Sequence, residues 1–232
     1  MVDKGKEAMV NPVSEKAVLV FGRLPIKGVV KTRLAAGIGE EVAFNLYEAM
    51  LSHTLFEASK MAVPIYFFYE GDLESGDAFP GIVLVRQSGI DFGQKLAFAA
   101  HYALNQLGHN KIIIIGTDCP ALDEAIIEEA FFALENRDLV LGAANDGGYY
   151  LMGLTGFYPQ LFENINWSSE KVASQTLENA KRIKLNLQVL PRVLSDIDTI
   201  DDLRRYVNSP CQTLVYKQIE EITRNARLER NG

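Results

Sequence analysis

The sequence predicts an α/β protein: a single-domain, three-layer α/β/α sandwich around a mostly parallel mixed sheet. Two observations carry that expectation. Short β-branched runs alternate with amphipathic stretches along most of the chain, as strands and helices do when taken in turn. One of those runs, "KIIIIG" at Lys111–Gly116, is a continuous apolar run, which fits a strand buried on both faces of a parallel sheet. The length of 232 residues fits one large domain better than two.

The elements follow in order. Residues 1–16 are polar, lack the apolar middle of a secretory signal, and read as a flexible N-terminal tail ahead of a domain at 17–232. "AVLVFG" (Ala17–Gly22) is the first strand. Gly39–Lys60 is a long helix with Val42, Leu46, Ala49 and Met50 on one face. "VPIYFFYE" and "GIVLVRQ" are strands, and Asp91 is placed to cap a helix running to about Leu107. After "KIIIIG" come a helix over Asp123–Asn136 and strands in "DLVLGAA" and "YYLMGL". A helix near Ser168–Lys184, a strand in "LQVLPRV", a short helix from about Thr199 and a final helix around Gln212–Leu228 complete the chain. Val215, Ile219 and Ile222 sit at helical spacing in that last helix, which either packs on its own domain or forms a homodimer contact.

Composition excludes several classes. The net charge of −7 argues against nucleic-acid binding, which needs a basic surface. No apolar run approaches the ~18 residues of a membrane span. Two cysteines, Cys119 and Cys211, make neither a disulfide framework nor a four-ligand zinc site, so a cytoplasmic setting is expected. His53, His101 and His109 are scattered and read as surface or partly packed residues.

The segment "FGRLPIKGVVKTRL" (Phe21–Leu34) carries the first chemical signal. Its spacing fails the G-x-x-x-x-G-K-[ST] pattern of the ATPase phosphate loop. Yet Arg23, Lys27, Lys31 and Arg33 put four of the 23 basic residues directly after the first strand of an acidic protein. Guanidinium groups grip phosphate oxygens in pairs and ammonium groups act as point charges, so a phosphate-binding loop competes with a solvated basic turn. Gly22 and Gly28 would let a ligand approach the main chain.

Three acidic motifs follow. Asp118 in "GTDCPAL" stands at the carboxyl end of "KIIIIG", where α/β folds bind ligands, and suits either a magnesium or manganese ion or a helix cap. In "SDIDTIDDL", Asp196 and Asp198 are expected to face apart, one of them toward the site. Asp198 or Thr199 also suits a capping box with Asp201 or Asp202. "NDGG" before Tyr149 and Tyr150 is a hairpin signal, with a substrate role for Asp146 left open.

Taken together, "VFGRLPIKGVVKTRL", "QSGIDFGQKL", "GTDCPAL", "LGAANDGGYYLMGL" and "INWSS…QTL…DIDTIDDL" resemble the bacterial family of nucleotide-diphospho-sugar transferase-like proteins, glycosyltransferases of the GT-A fold, over about Ala17–Tyr206. The pattern is more distantly similar to phospholactate and molybdenum-cofactor guanylyltransferases. The resemblance implies that Lys27, Lys31 and Arg33, with Gly22, Arg23 and Thr32, wrap nucleotide phosphates. It implies that Asp118 binds Mg2+ or Mn2+, with Asp198 as second ligand, and that Gln87 and Asp91 frame the nucleotide. Asp146, Gly147, Gly148 and Tyr149 would lie on the sugar or acceptor side. Many members carry a proline and an acid where this chain has Ala144 and Asn145, which implies a different acceptor.

The resulting expectation is a metal-dependent transferase that binds a nucleotide-diphospho-sugar, with Asp118, Asp146 and Lys31 as its catalytic candidates. Coupling of a nucleoside triphosphate to a phosphorylated acceptor is the alternative enzyme, and a catalytically silent nucleotide-binding protein the alternative outside catalysis. Its partners would be a nucleotide sugar or triphosphate and an unknown acceptor.

Overall fold

The computed structural model describes residues 14–73, 79–209 and 214–230. Seven strands form one sheet in the order β3-β2-β1-β4-β6-β5-β7. They are β1 (Lys16–Arg23), β2 (Ile65–Glu70), β3 (Val83–Arg86), β4 (Lys111–Gly116), β5 (Leu139–Ala143), β6 (Tyr149–Leu154) and β7 (Leu187–Val189). Every neighbouring pair is parallel except those made by β6, which runs antiparallel to both β4 and β5. The mostly parallel mixed sheet is as expected. For "KIIIIG" the expectation needs one correction: β4 is buried on both faces, but its pairing is parallel only toward β1.

Seven α-helices cover the sheet: α1 (Thr32–Ile38), α2 (Glu40–Ser59), α3 (Phe92–His101), α4 (Glu124–Ala133), α5 (Val172–Arg182), α6 (Ile200–Val207) and α7 (Leu214–Arg230). Period-two alternation divides each central strand between two cores. Val18, Val20, Ile113 and Ile115 join α2, α4, α6 and α7 on one side. Ala17, Leu19, Phe21, Ile112 and Ile114 join α3 and α5 on the other. Leu46, Ala49 and Met50 of α2 are buried as predicted, while Val42 is only half-buried.

Caps set the helix starts. The Asp91 carboxylate accepts from Gln94 N at 2.8 Å and the Asp123 carboxylate from Ile126 N at 3.0 Å. Thr199 and Asp202 form a reciprocal box at α6. The helix expected to reach Leu107 is α-helical only to His101 and continues as a π-helical turn, Tyr102–Gln106. The last strand is shorter than expected: β7 ends at Val189, and Pro191 just beyond has no N–H for a ladder. Val215 and Ile219 are buried in the core that includes α2, so the apolar face of α7 packs on its own domain.

Lys16 already belongs to β1, so the tail expected over residues 1–16 is structured by its last residue, while 1–13 lie outside the described residues. Cys211 lies outside them too, and Cys119 is a free, buried thiol. His53 and His109 are buried rather than at the surface. The first lies 2.9 Å from the Leu122 carbonyl and the second the same distance from the Tyr66 hydroxyl. Among the described residues no helix is long and apolar enough to cross a membrane.

Candidate functional site

The chain leaves β1 toward β2 on one side and leaves β4 toward β5 on the other, so the strand order reverses between β1 and β4. Open α/β sheets bind ligands at the carboxyl ends of the strands beside such a reversal. Phe21 is opposite Gly116 in the ladder, which brings Gly22 against Thr117. A β-carbon on Gly22 would lie 2.8 Å from Thr117 Cγ2, so this glycine is required by the packing of the two strand ends.

Tyr47 of α2 pins the end of β1: its hydroxyl accepts from Arg23 N at 2.8 Å and donates to Arg23 O at 2.7 Å. Gln87 braces the same edge, donating from Nε2 to Gly22 O at 3.1 Å and Phe68 O at 2.9 Å. The Arg23 side chain turns to Glu70 at 3.3 Å, and Lys27 pairs with Glu41. Thr32 and Arg33 are exposed on α1, and Arg33 has no ion-pair partner among the described residues.

Lys31 turns inward. Its Nζ lies 2.9 Å from Asp118 Oδ1 and 2.7 Å from Asp198 Oδ1. The lysine side chain is 5% exposed, whereas the two carboxylates are 40% and 49% exposed and open to solvent. Burial alone would lower the ammonium's pKa; the two carboxylates outweigh it and hold the pKa above its ordinary value. The three residues come from different elements: the loop before α1, the end of β4, and the extended segment before α6. Ile197 N donates to Asp118 O at 2.9 Å, which lays that last segment alongside the end of β4.

Asp196 corrects the expectation drawn for "SDIDTIDDL". Residues two apart in an extended segment share a face. Ile197 is buried in the core, while Asp196 and Asp198 both belong to the charge cluster around Asp118 and Lys31. Burial, and then the Asp118 charge, push the Asp196 pKa up to about 7.

The "NDGG" segment forms a β5–β6 hairpin turn, with Ala144 N donating to Gly148 O at 3.0 Å. Asp146 is exposed, and its Oδ1 accepts from Gly148 N at 2.9 Å. Gly147 has φ +87°, and a β-carbon there would run into the Glu170 carbonyl. Ala173 N donates to Gly147 O at 2.9 Å, tying this turn to the start of α5. The Tyr149 hydroxyl is buried with no hydrogen-bond partner among the described residues, and burial raises its pKa. Trp167 packs over Gly93 and edge-on to Phe92, ring centres 5.3 Å apart, beside the Asp91 cap.

The structure therefore brings Lys31, Asp118 and Asp198 into contact, leaves Asp91 as a helix cap and Gln87 as a backbone brace, and holds Asp146 in its own turn. Tyr47 carries no motif signal, and Thr117 and Trp167, though inside "GTDCPAL" and "INWSS", were given no role; each reads from sequence as ordinary helix, turn or aromatic packing.

The donor set fits a hard divalent cation in part. Two aspartate oxygens converge on one cation position at an edge open to solvent, and such ions are commonly held by one or two carboxylates with phosphates completing the shell. Among the described residues no group of three or more His, Cys, Asp or Glu residues gathers as a ready-made cage.

The fold is that of an α/β protein of the nucleotide-diphospho-sugar transferase type. The chain belongs to the family described as uncharacterized protein conserved in bacteria (DUF2064), whose model matches residues 54–169. That match includes Asp118 and the "DGGYY" turn but neither the basic loop nor Asp198. The chain is similar to a candidate nucleotide-diphospho-sugar transferase from Desulfovibrio desulfuricans G20, with 27% identity, 92% of this chain and 99% of that one covered, and a TM-score of 0.81. It shares its fold with Rv0371c of Mycobacterium tuberculosis H37Rv, solved with manganese, at 16% identity, 83% and 97% coverage and a TM-score of 0.54. It also shares it with CMP:2-keto-3-deoxy-manno-octonic acid synthetase complexed with CTP, at 10% identity, 83% and 96% coverage and a TM-score of 0.50. No curated protein matches the sequence.

Proposed function

We propose that this protein is a divalent-metal-dependent transferase that binds a nucleotide-diphospho-sugar and passes the sugar to an acceptor. The observation that carries the reading is the convergence of Asp118 and Asp198 on one cation position beside a basic loop, at the point where strand order reverses. The manganese found in a fold relative supports Mg2+ or Mn2+ as the ion. Asp118 and Asp198 would hold it, and it would neutralise charge gathering on the departing diphosphate.

The chain's own residues divide the remaining work. Arg33, exposed on α1, would face phosphate oxygens, while Lys31 neutralises the two carboxylates. Positive groups fixed where negative charge grows stabilise the transition state more than the ground state. The Gln87 bond to Gly22 O and the Tyr47 bonds to Arg23 tie down the end of β1 beside them. The "DGGYY" turn and Trp167 would form its acceptor side.

Nucleotidyl transfer is the second reading, and one observation favours it. Asp146, one of the catalytic candidates from sequence, is engaged by its own turn, and a phosphate nucleophile requires no base. Thermal unfolding against nucleoside triphosphates and nucleotide sugars, each with and without Mn2+, separates the readings. A ligand at 100 times its Kd adds about 2.7 kcal/mol. A Mn2+-dependent shift with a nucleotide sugar supports glycosyl transfer, and one with a triphosphate alone supports nucleotidyl transfer. We predict that Asp118→Asn abolishes the Mn2+-dependent shift and turnover while leaving the circular dichroism spectrum unchanged. Full activity in that variant would remove Asp118 from the site.

A further inference from the structure

Resting on the metal-dependent reading above, we propose that Lys31 is an internal cation lock: its ammonium and the divalent ion are mutually exclusive occupants of the Asp118–Asp198 pair, and metal entry expels Lys31 toward the substrate phosphates.

Three observations lead there. The Lys31 Nζ takes one oxygen from each carboxylate, Asp118 Oδ1 at 2.9 Å and Asp198 Oδ1 at 2.7 Å, so it stands at the point where the two side chains converge. A metal drawing on those oxygens would meet a positive charge at the same place, and like charges at that separation repel strongly in a partly dehydrated site.

The burial is also uneven. The lysine is almost fully covered while its partners are open to solvent, so the carboxylates are more accessible than the ammonium. A cation arriving from the cleft therefore meets the carboxylates first and competes for them directly.

The backbone supplies the third observation. Lys31 adopts φ 51° and ψ 41°, a left-handed conformation disfavoured for a residue with a β-carbon, at the N-cap of α1 and without a side-chain cap bond. Lys31 makes its two ion pairs from this disfavoured conformation. The preceding turn, Lys27 to Val30, contains Gly28 at φ +79°, a hinge already in a region open to glycine. Lys31 thus has two uses for one charge: it neutralises the carboxylates at rest and becomes available to phosphate once a metal has replaced it. A transferase built this way binds metal and assembles its phosphate grip in one coupled step.

The test uses Mn2+ alone, followed by electron paramagnetic resonance, on wild type, Lys31→Met, Lys31→Gln and Asp118→Asn. In parallel, amine labelling of wild-type Lys31 is read by mass spectrometry with and without Mn2+. We expect either Lys31 variant to bind Mn2+ roughly tenfold more tightly than wild type, through loss of the competing charge. We expect Mn2+ to raise the labelling rate of Lys31 roughly fivefold or more, as a covered amine becomes exposed. Mn2+ binding that Asp118→Asn removes, with Lys31 labelling unchanged, overturns the lock and leaves the metal reading standing. Failure of wild type and both Lys31 variants to bind Mn2+ overturns the metal reading and the lock together. Should both variants unfold, the labelling of wild type decides alone.

Discussion

His53 shows how one buried residue writes a pH dependence into the whole fold. Its Nε2 lies 2.9 Å from the Leu122 carbonyl, so that nitrogen carries a proton. Burial lowers its pKa, an effect the nearby Glu57 carboxylate opposes without cancelling. The unfolded chain takes up a proton near the ordinary value of about 6.5, whereas the folded chain resists until a lower pH. Between those two points the unfolded state binds more protons, so stability falls as pH falls. We predict that wild type loses more unfolding free energy from neutral pH to about pH 5 than His53→Gln does. Urea melts at the two pH values check this, and equal losses in the two proteins would place the acid sensitivity elsewhere. Lys31 obeys the opposite balance: its two carboxylates overcome burial, and the charged form is favoured.

At the scale of elements, the β5–β6 turn is joined to the start of α5 through a single glycine. Gly147 satisfies two demands at once, a positive φ and the close approach of the Glu170 carbonyl, while its own carbonyl accepts from Ala173 N at the start of α5. Gly147→Ala adds backbone strain of about 1–3 kcal/mol and an overpacking cost of similar size. The expected fall in Tm is roughly 5–15 °C for a chain of this size, by differential scanning calorimetry. A Tm within a degree or so of wild type would mean that the loop before α5 yields to the methyl group. Elements were the most legible level. "KIIIIG", the Asp91 cap, the helix start at Asp123 and the Thr199–Asp202 box depend on neighbours in sequence, and each stands within a residue or two of its expected place. The hairpin signal in "NDGG" already implied a strand reversal, but not that the reversed strand would insert beside β4.

Across the whole molecule, the site is assembled by the topology, and that is why its geometry was only half legible. The residue types were readable: a basic loop, Asp118 after a buried strand, Asp198 before a helix. Their contact was not, since Lys31 and Asp198 stand 167 residues apart and meet only because the segment before α6 lies along the end of β4. A lysine in a basic loop reads as a phosphate ligand; only the fold turns it onto two carboxylates. The same continuity makes a prediction about cooperativity. One sheet spans β3 to β7, and α7, near the C-terminus, packs into the core that also holds β1 and α2. Trp167, the single tryptophan, joins the segment before α5 to the first turn of α3 at the rim of the cleft. If that rim belongs to the same cooperative unit as the sheet, indole fluorescence and far-ultraviolet circular dichroism will give coincident urea transitions. We expect coincidence, because Phe92 beneath the indole also packs edge-on to Phe21 of β1, ring centres 6.4 Å apart, so the rim cannot open without disturbing a central strand. A fluorescence transition at clearly lower urea would instead identify the Trp167 segment as one that unfolds locally ahead of the sheet.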